Sequence, residues 1–418
     1  MILYYILMLV IILYLLFKLY IKFTYKFWAY QPVFHSYNLI NWINPKGIVY
    51  DTPRINKYCN FIDITTKNFF DISEEEIIKI IDLINKTNKT NKTNKTTKTN
   101  KTNKTTKTNK TNMEATYLLN KNNFVACFTG HLNKSYIGIY KKQLYSLNQE
   151  PTQTIESSTG LIGVITGKPI TITIKNQSLN SYYIDFLTID TTYNNKDIQG
   201  QLIQTYEYFQ RHDNKEFKIS LFKHNGKLKG VIPLTSYNSY IFNSALICPK
   251  YDCYYKIIEI SEVNFYLLTN LITLSKRYFK CVATIDESNL LHLILKNIYK
   301  IHGLLDIKSN ELKACYFFKQ SNITFQVKEL YKKEKKHILL LDLVGSIKNC
   351  EDTEFINGFL IVLNKKCYIN IENISYNNIL IHYLLNNSLS ALNISYNSFF
   401  LYNYICKPIL SKNILIIS

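Results

Sequence analysis

Residues 182–211 read YYIDFLTIDTTYNNKDIQGQLIQTYEYFQR, and the fold follows from two changes of pattern within them. Tyr, Ile, Phe and Leu take six of the eight positions 182–189, a run too short for a helix, which predicts a buried strand. Asn194, Asn195, Lys196 and Asp197 make a polar turn. From Ile198 onward the apolar residues are Ile198, Leu202, Ile203, Tyr206 and Phe209, at helical spacing. A helix that starts this way has first-turn N–H groups with no intrahelical partner, and they take an anion such as phosphate. The plain alternative is an ordinary strand–helix unit with no ligand.

Working outward, residues 161–167 and 170–174 read as a hairpin joined at Lys168-Pro169, with shorter strands at 135–140 and 124–128. On the far side, strands are expected at 217–222, 231–234, 339–344, 359–363, 397–404 and 414–417, and a helix at 265–274. Alternating strands and helices predict a mixed α/β body. The chain has 418 residues, room for two ordinary domains or one large one.

Residues 2–17 are an unbroken apolar run, followed by Lys18, Lys22 and Lys26. Counted through Phe23 with its lysines snorkelling, the run is long enough to span a bilayer. A signal peptide is the rival reading, and a buried helix the third. No basic residue precedes the run and no small-residue cleavage site follows it, which favours a single-pass anchor. The lysines behind it place the body on the cytoplasmic side.

Net charge is +20, but nine lysines lie in an acid-free Lys/Thr/Asn repeat at 85–112, leaving an excess of eleven elsewhere. That excess suits an anionic partner without choosing among membrane, nucleic acid and phosphorylated ligand. The repeat has no apolar residue to offset the entropy of ordering, so a disordered loop is expected. Its seven Asn-Lys-Thr sequons matter only in a secretory lumen, and its lysines allow contact with lipid or nucleic acid. A tolerated surface insertion is the simplest account. Just before it, Ser73 and Glu76 form a capping box for a helix carrying Ile77, Ile80, Ile81 and Ile84. Nine scattered cysteines read as small core residues of a reduced protein, and a zinc site at Cys248 and Cys253 has no supporting pattern.

Four stretches, in order along nearly the whole chain, resemble the N-myristoyltransferase family. KFWAYQPV at 26–33 is similar to its Phe-Trp-x-Thr-Gln-Pro-Val, with Tyr30 where Thr is usual. LIGVITGKPITI at 161–172 is similar to the hairpin before its cofactor strand. IDFLTIDTTYNNKDIQGQLI at 184–203 resembles its Ile-Asn-Phe-Leu-Cys-Val-His-Lys-Lys-Leu-Arg-Ser-Lys-Arg stretch, and FLYNYICKP at 400–408 its Tyr-Leu-Tyr-Asn-Trp-x-Cys-Pro stretch.

The resemblance implies a mixed α/β (α+β) fold of two acetyltransferase-like (GNAT-like) halves around a saddle-shaped sheet, preceded here by a transmembrane helix. The expected division is 1–25 anchor, 26–240 acyl-coenzyme A half with the insertion at 85–112, and 241–418 peptide half. The implied reaction moves a tetradecanoyl group from myristoyl-coenzyme A to the α-amine of an N-terminal glycine. Backbone N–H groups of Phe186 and Leu187 would stabilise the oxyanion, and the carboxylate of the last residue, Ser418, would accept the amine proton. Coenzyme contacts are expected from Lys26, Phe27, Trp28, Thr188, Ile189, Asn195, Lys196, Asp197, Ile198, Gln199 and Gly200, and peptide contacts from Tyr237 and Tyr402. The sequence departs from the family at Asn194, Asn195 and Asp197, where Arg, Ser and Arg are usual. It departs again at Tyr383, where an aspartate is usual, and at 394–398, ISYNS, where a Gly-Asp-Gly turn is.

The partners implied are acyl-coenzyme A, proteins or peptides with N-terminal glycine, and the membrane; no metal and no nucleic acid are implied, and a monomer is expected. Two other readings stay open. A catalytically inactive relative would bind acyl-coenzyme A or acylated N-termini at a membrane. A small-group acetyltransferase would share the strand–turn–helix but not the motifs at 26–33 and 400–408.

Overall fold

A computed structural model describes residues 1–99, 114–144, 158–193, 196–244, 253–328, 335–363 and 368–418. The first half of the chain forms α1 (Ile2–Tyr25), α2 (Leu39–Ile43), β1 (Gly47–Ile48), β2 (Ile64–Asn68), α3 (Glu74–Thr99), β3 (Glu114–Tyr117), α4 (Lys121–Ala126), β4 (Tyr136–Leu144), β5 (Ser158–Ile174), β6 (Gln177–Ile189), α5 (Lys196–Asp213), β7 (Ile219–Asn225) and β8 (Thr235–Asn243). The second forms β9 (Lys256–Glu259), α6 (Phe265–Ser275), β10 (Cys281–Thr284), α7 (Glu287–Leu295), β11 (Tyr299–Asp306), β12 (Glu311–Lys328), β13 (Lys335–Lys348), α8 (Asp352–Val362), β14 (Tyr368–Glu372), α9 (Asn377–Asn386), β15 (Asn393–Tyr402), β16 (Tyr404–Ile405) and β17 (Ile414–Ile417).

One topology occurs twice. β4, β5 and β6 are an antiparallel meander, and α5 crosses from β6 to parallel β7. β11, β12 and β13 are a second meander, and α8 crosses from β13 to parallel β14. The next strand of each half then leaves for the other. β8 pairs with β14, β15 pairs with β7, and β8 and β15 pair with each other, all antiparallel. The exchange makes one sheet, β17-β10-β5-β6-β7-β15-β8-β14-β13-β12-β11-β9.

The chain's last strand is fixed firmly. β17 lies parallel to β10, and Ile414, Leu415, Ile416 and Ile417 are all buried. Full burial of four such side chains contributes on the order of 6–12 kcal/mol. α1 is the opposite case: 24 residues, about 36 Å at helical rise, with no buried residue. By length and composition it passes as a membrane span, with mean hydropathy 2.5.

Several expectations are corrected. Lys168-Pro169 is no turn: β5 runs through it, and the hairpin to β6 turns at Lys175-Asn176, both at positive φ (49° and 67°) as a two-residue hairpin requires. Residues 124–126, expected in a strand, end α4, and 359–362 end α8. Apolar runs of five residues fit either structure, and only the surrounding tertiary contacts decide. Val231 makes one isolated bridge to His35, and the strand expected at 231–234 starts at Thr235. The helix capped by Ser73 continues to Thr99, through half of the repeat expected to be loop. Asn85 anchors the repeat's first turn, donating to Leu119 O at 3.0 Å and accepting from Leu119 N at 2.8 Å. Residues 100–112 of the repeat lie outside the described residues. Cys59, Cys127, Cys253, Cys281, Cys315, Cys350 and Cys406 are free thiols; Cys248 and Cys367 lie outside the described residues.

Candidate functional site

The four stretches that carry the resemblance assemble around one cleft of about 950 Å³, at the upper end of the range for small-molecule sites. β5 and β6 bring the second and third side by side. The first and fourth meet although they are some 370 residues apart. Tyr402 donates its hydroxyl to Gln31 Oε1 at 2.8 Å, and Asn403 N donates to Pro32 O at 2.7 Å. Trp28 stacks on Phe222 at 6.0 Å, and Phe222 on Phe400 at 5.4 Å. Phe27 lies against the first turns of α5 at Gly200, where any Cβ would come within 2.8 Å of the ring. Glycine there lets the segment behind α1 form one wall beside the helix start.

The floor is a β-bulge. Val164 pairs with Thr188 and Thr166 with Asp185, so Phe186 and Leu187 face Ile165 alone. Phe186 sits at φ 48°, costly for a bulky residue and a mark of strain at functional sites. Its ring is held against Phe124 at 5.4 Å, while Leu187 packs with the α5 cluster. A bulge takes N–H groups out of the ladder, as an oxyanion site needs. One of the two is taken, however: Phe186 N donates to the carboxylate of Asp185 at 2.9 Å.

The opposite wall is a row of polar residues, one from each of four adjacent strands. Tyr299 of β11 pairs with Lys319 of β12, Lys319 with Asp342 of β13, and Asp342 with Asn370 of β14. Equal register puts these side chains on one face of the sheet. Ser418, just past β17, ends against the row. Its carbonyl oxygen accepts from Tyr299 Oη and from Lys319 Nζ, both at 2.7 Å. Asn370 donates to Asp342 at 2.9 Å. Beside them Glu372 accepts from Lys223 Nζ at 2.6 Å and from Tyr237 Oη at 2.7 Å.

Burial shapes the charges here. It pushes the Asp342 carboxyl up to about 6, with Glu372 adding to the rise. Burial draws the Lys168 ammonium down to about 8. It would lower Lys319 too, but Tyr299, Cys127 and Asp185 outweigh it and hold that ammonium above the usual lysine range. On α5, burial pushes Glu207 up to about 7 against the pull of Arg211.

Of the residues singled out in the sequence, Phe27, Trp28, Phe186, Leu187, Thr188, Gln199, Gly200, Tyr402 and Ser418 line the cleft. Ile198 packs into the core with Leu202 and Tyr206, Ile189 is half-buried beside them, and Tyr237 is buried with its hydroxyl on Glu372. Lys26 is exposed at the end of α1, Asp197 is exposed in the first turn of α5, and Lys196 begins that helix. Asn195 lies outside the described residues. Sequence reading missed Asp185, Tyr299, Lys319, Asp342, Glu372 and Glu207. A signal was present for two of them: Lys319 and Asp342 each stand alone in an apolar strand, YFFKQ and LLLDLV.

No protein-family model matches this chain, and no curated sequence does. Solved structures do. A crystal structure of Saccharomyces cerevisiae N-myristoyltransferase with bound myristoyl-CoA has a TM-score of 0.66 at 12% identity, over 94% of this chain and 99% of that one. A second from the same organism, also with bound myristoyl-CoA, has 0.64 at 12% identity, over 94% of each chain. A third, with bound myristoyl-CoA and inhibitors, has 0.62 at 12% identity, over 93% and 92%. The likeness at this identity is one of fold: a mixed α/β body about one large sheet.

Proposed function

We propose that this chain is an acyltransferase that moves a tetradecanoyl group from its coenzyme A thioester to the α-amine of an N-terminal glycine. The observation that carries the reading is the seating of Ser418 in the same cleft as the bulged pair Phe186–Leu187. The match over 94% of the chain to yeast N-myristoyltransferase structures with bound myristoyl-CoA supports the donor.

In this reading the apolar end of the cleft, with Ile84, Tyr117, Leu119 and Ile323, takes the acyl chain. Phe27, Trp28 and the first turn of α5 take the coenzyme, whose phosphates would meet the N–H groups of the helix start. The amine nitrogen attacks the thioester carbon, and Leu187 N–H with Phe186 N–H receives the developing oxyanion. The Ser418 carboxylate, held by Tyr299 and Lys319, accepts the amine proton. The C–S bond then breaks, and the coenzyme leaves as its thiol once that proton is passed on. α1 serves as a membrane anchor with the body on the cytoplasmic side, which sets the coenzyme wall directly behind the bilayer.

The test is mass spectrometry on a panel of Gly-initiated peptides with myristoyl-coenzyme A and the full chain. A mass gain on the N-terminal amine, absent from Ala-initiated controls, is expected. Binding of the thioester without transfer to any peptide would overturn the reading in favour of a silent acyl-binding relative.

A further inference from the structure

α2 is built inside out. Among its five residues only Asn41 is buried, while Leu39, Ile40 and Ile43 are 73%, 77% and 82% exposed. Single exposed aliphatics are ordinary on a soluble surface, but three on one short helix form a patch. Trp42 sits among them, its indole N–H on Ser36 O at 3.3 Å and its ring against Phe34 at 4.9 Å. It is the kind of amphipathic ring that settles at a membrane–water boundary.

The patch stands at the foot of α1. Tyr25, the last residue of α1, stacks on Tyr37 at 5.3 Å and packs tightly on Gly230. Leu39 is two residues beyond Tyr37, within about 7 Å along the chain. Charge points the same way. Lys18, Lys22, Lys26 and Lys46 lie in the first 50 residues, which contain no Asp or Glu. Such a surface is drawn to anionic headgroups, whereas a second copy would bring the same lysines against it.

We infer that Leu39, Ile40, Trp42 and Ile43 enter the interfacial layer of the bilayer that α1 spans. The inference rests on the anchor reading of α1 and adds a second contact to it. One helix alone leaves the body free to swing; two contacts at its base fix which face meets the lipid. Trp28, on the cleft wall, begins three residues after α1 ends, so the fixed face carries the coenzyme end of the cleft to the surface.

The test places an environment-sensitive fluorescent amino acid at Ile12, Ile43 or Val263 of the full chain, in vesicles of phosphatidylcholine with one-fifth phosphatidylserine. Val263, 87% exposed on the second half of the chain, is the aqueous control. Brominated lipids should quench the probe at 12 and at 43 but not at 263. Shallow bromines should quench at least twofold better than deep ones at 43, with the reverse order at 12. A water-like probe at 43 with a buried one at 12 overturns the patch and leaves the anchor standing. Water-like probes at both positions overturn the two together. A blue-shifted probe at 43 that lipid does not quench means that α1 or another copy covers the patch, and overturns the inference.

Discussion

Asp185 decides how well the proposed oxyanion site works. Its carboxylate holds the N–H of Phe186, one of the two donors the reaction needs, and places a negative charge beside the position where one must develop. Asp185→Asn removes that charge and keeps a side chain of the same shape. A preorganised donor of this kind is worth on the order of 3 kcal/mol, so single-turnover acyl transfer should rise by about tenfold or more. An unchanged or lower rate would mean that the carboxylate already leaves Phe186 N–H when substrate binds, or that this N–H is no donor. The residue scale also shows what a sequence can reveal about a site. Phe186 and Leu187 were singled out through the family resemblance of 184–203, and the structure puts both on the cleft, at a bulge that no local pattern announces. Lys319 and Asp342 were visible as lone charges in apolar strands. Their meeting with Ser418 was not, because it depends on pairings between β11, β12 and β13 and on where β17 docks.

At the scale of elements, α5 joins the two ends of the site. Its outer start lies against Phe27, and its inner face carries Glu207, buried and held up to about 7 from an ordinary 4.5. Because the folded state raises this acid, its contribution is complete below about pH 4.5 and is lost as pH climbs toward 7, when the unfolded chain releases its proton first. The loss is on the order of 3 kcal/mol. Glu207→Gln should therefore raise the urea midpoint at pH 8 and leave it nearly unchanged at pH 4; equal effects at both would refute the buried acid. α3 offers a second test. The paired bonds between Asn85 and the backbone of Leu119 tie the start of the repeat to the chain beyond it. Asn85→Ala should cost about 1–3 kcal/mol in urea denaturation, a loss a free loop would not show. The misread elements share one physical cause. FVACF and FLIVL satisfy strand and helix alike, and Lys168-Pro169 looks like a turn although the lysine is buried within a long strand.

At the scale of the molecule, the two halves share one sheet through an exchange of strands. β15 supplies the neighbour of β7, and β8 supplies the neighbour of β14. A fragment of residues 1–244 would keep β8 but lose β10, β14, β15 and β17, exposing the edge of β7 that takes β15 and the edge of β5 that takes β10. It should be insoluble or unfolded, whereas the whole body should unfold in a single urea transition by far-ultraviolet circular dichroism. A soluble, cooperatively folded fragment would show that the exchange is incidental. The alternation of elements was legible as a mixed α/β body, but the exchange was not, since pairing across the halves leaves no local pattern. The docking of β17 on β10, itself paired with β5, brings Ser418 to the cleft that the bulge of β6 lines, and the central claim rests there. The most direct measurement compares the chain ending at Ser418 with one extended by three residues, following both thioester binding and transfer to a Gly-initiated peptide. The extended chain should bind myristoyl-coenzyme A within about twofold of the chain ending at Ser418 yet transfer it on the order of a hundredfold more slowly, as loss of a general base requires. Equal transfer by the two chains would contradict the account.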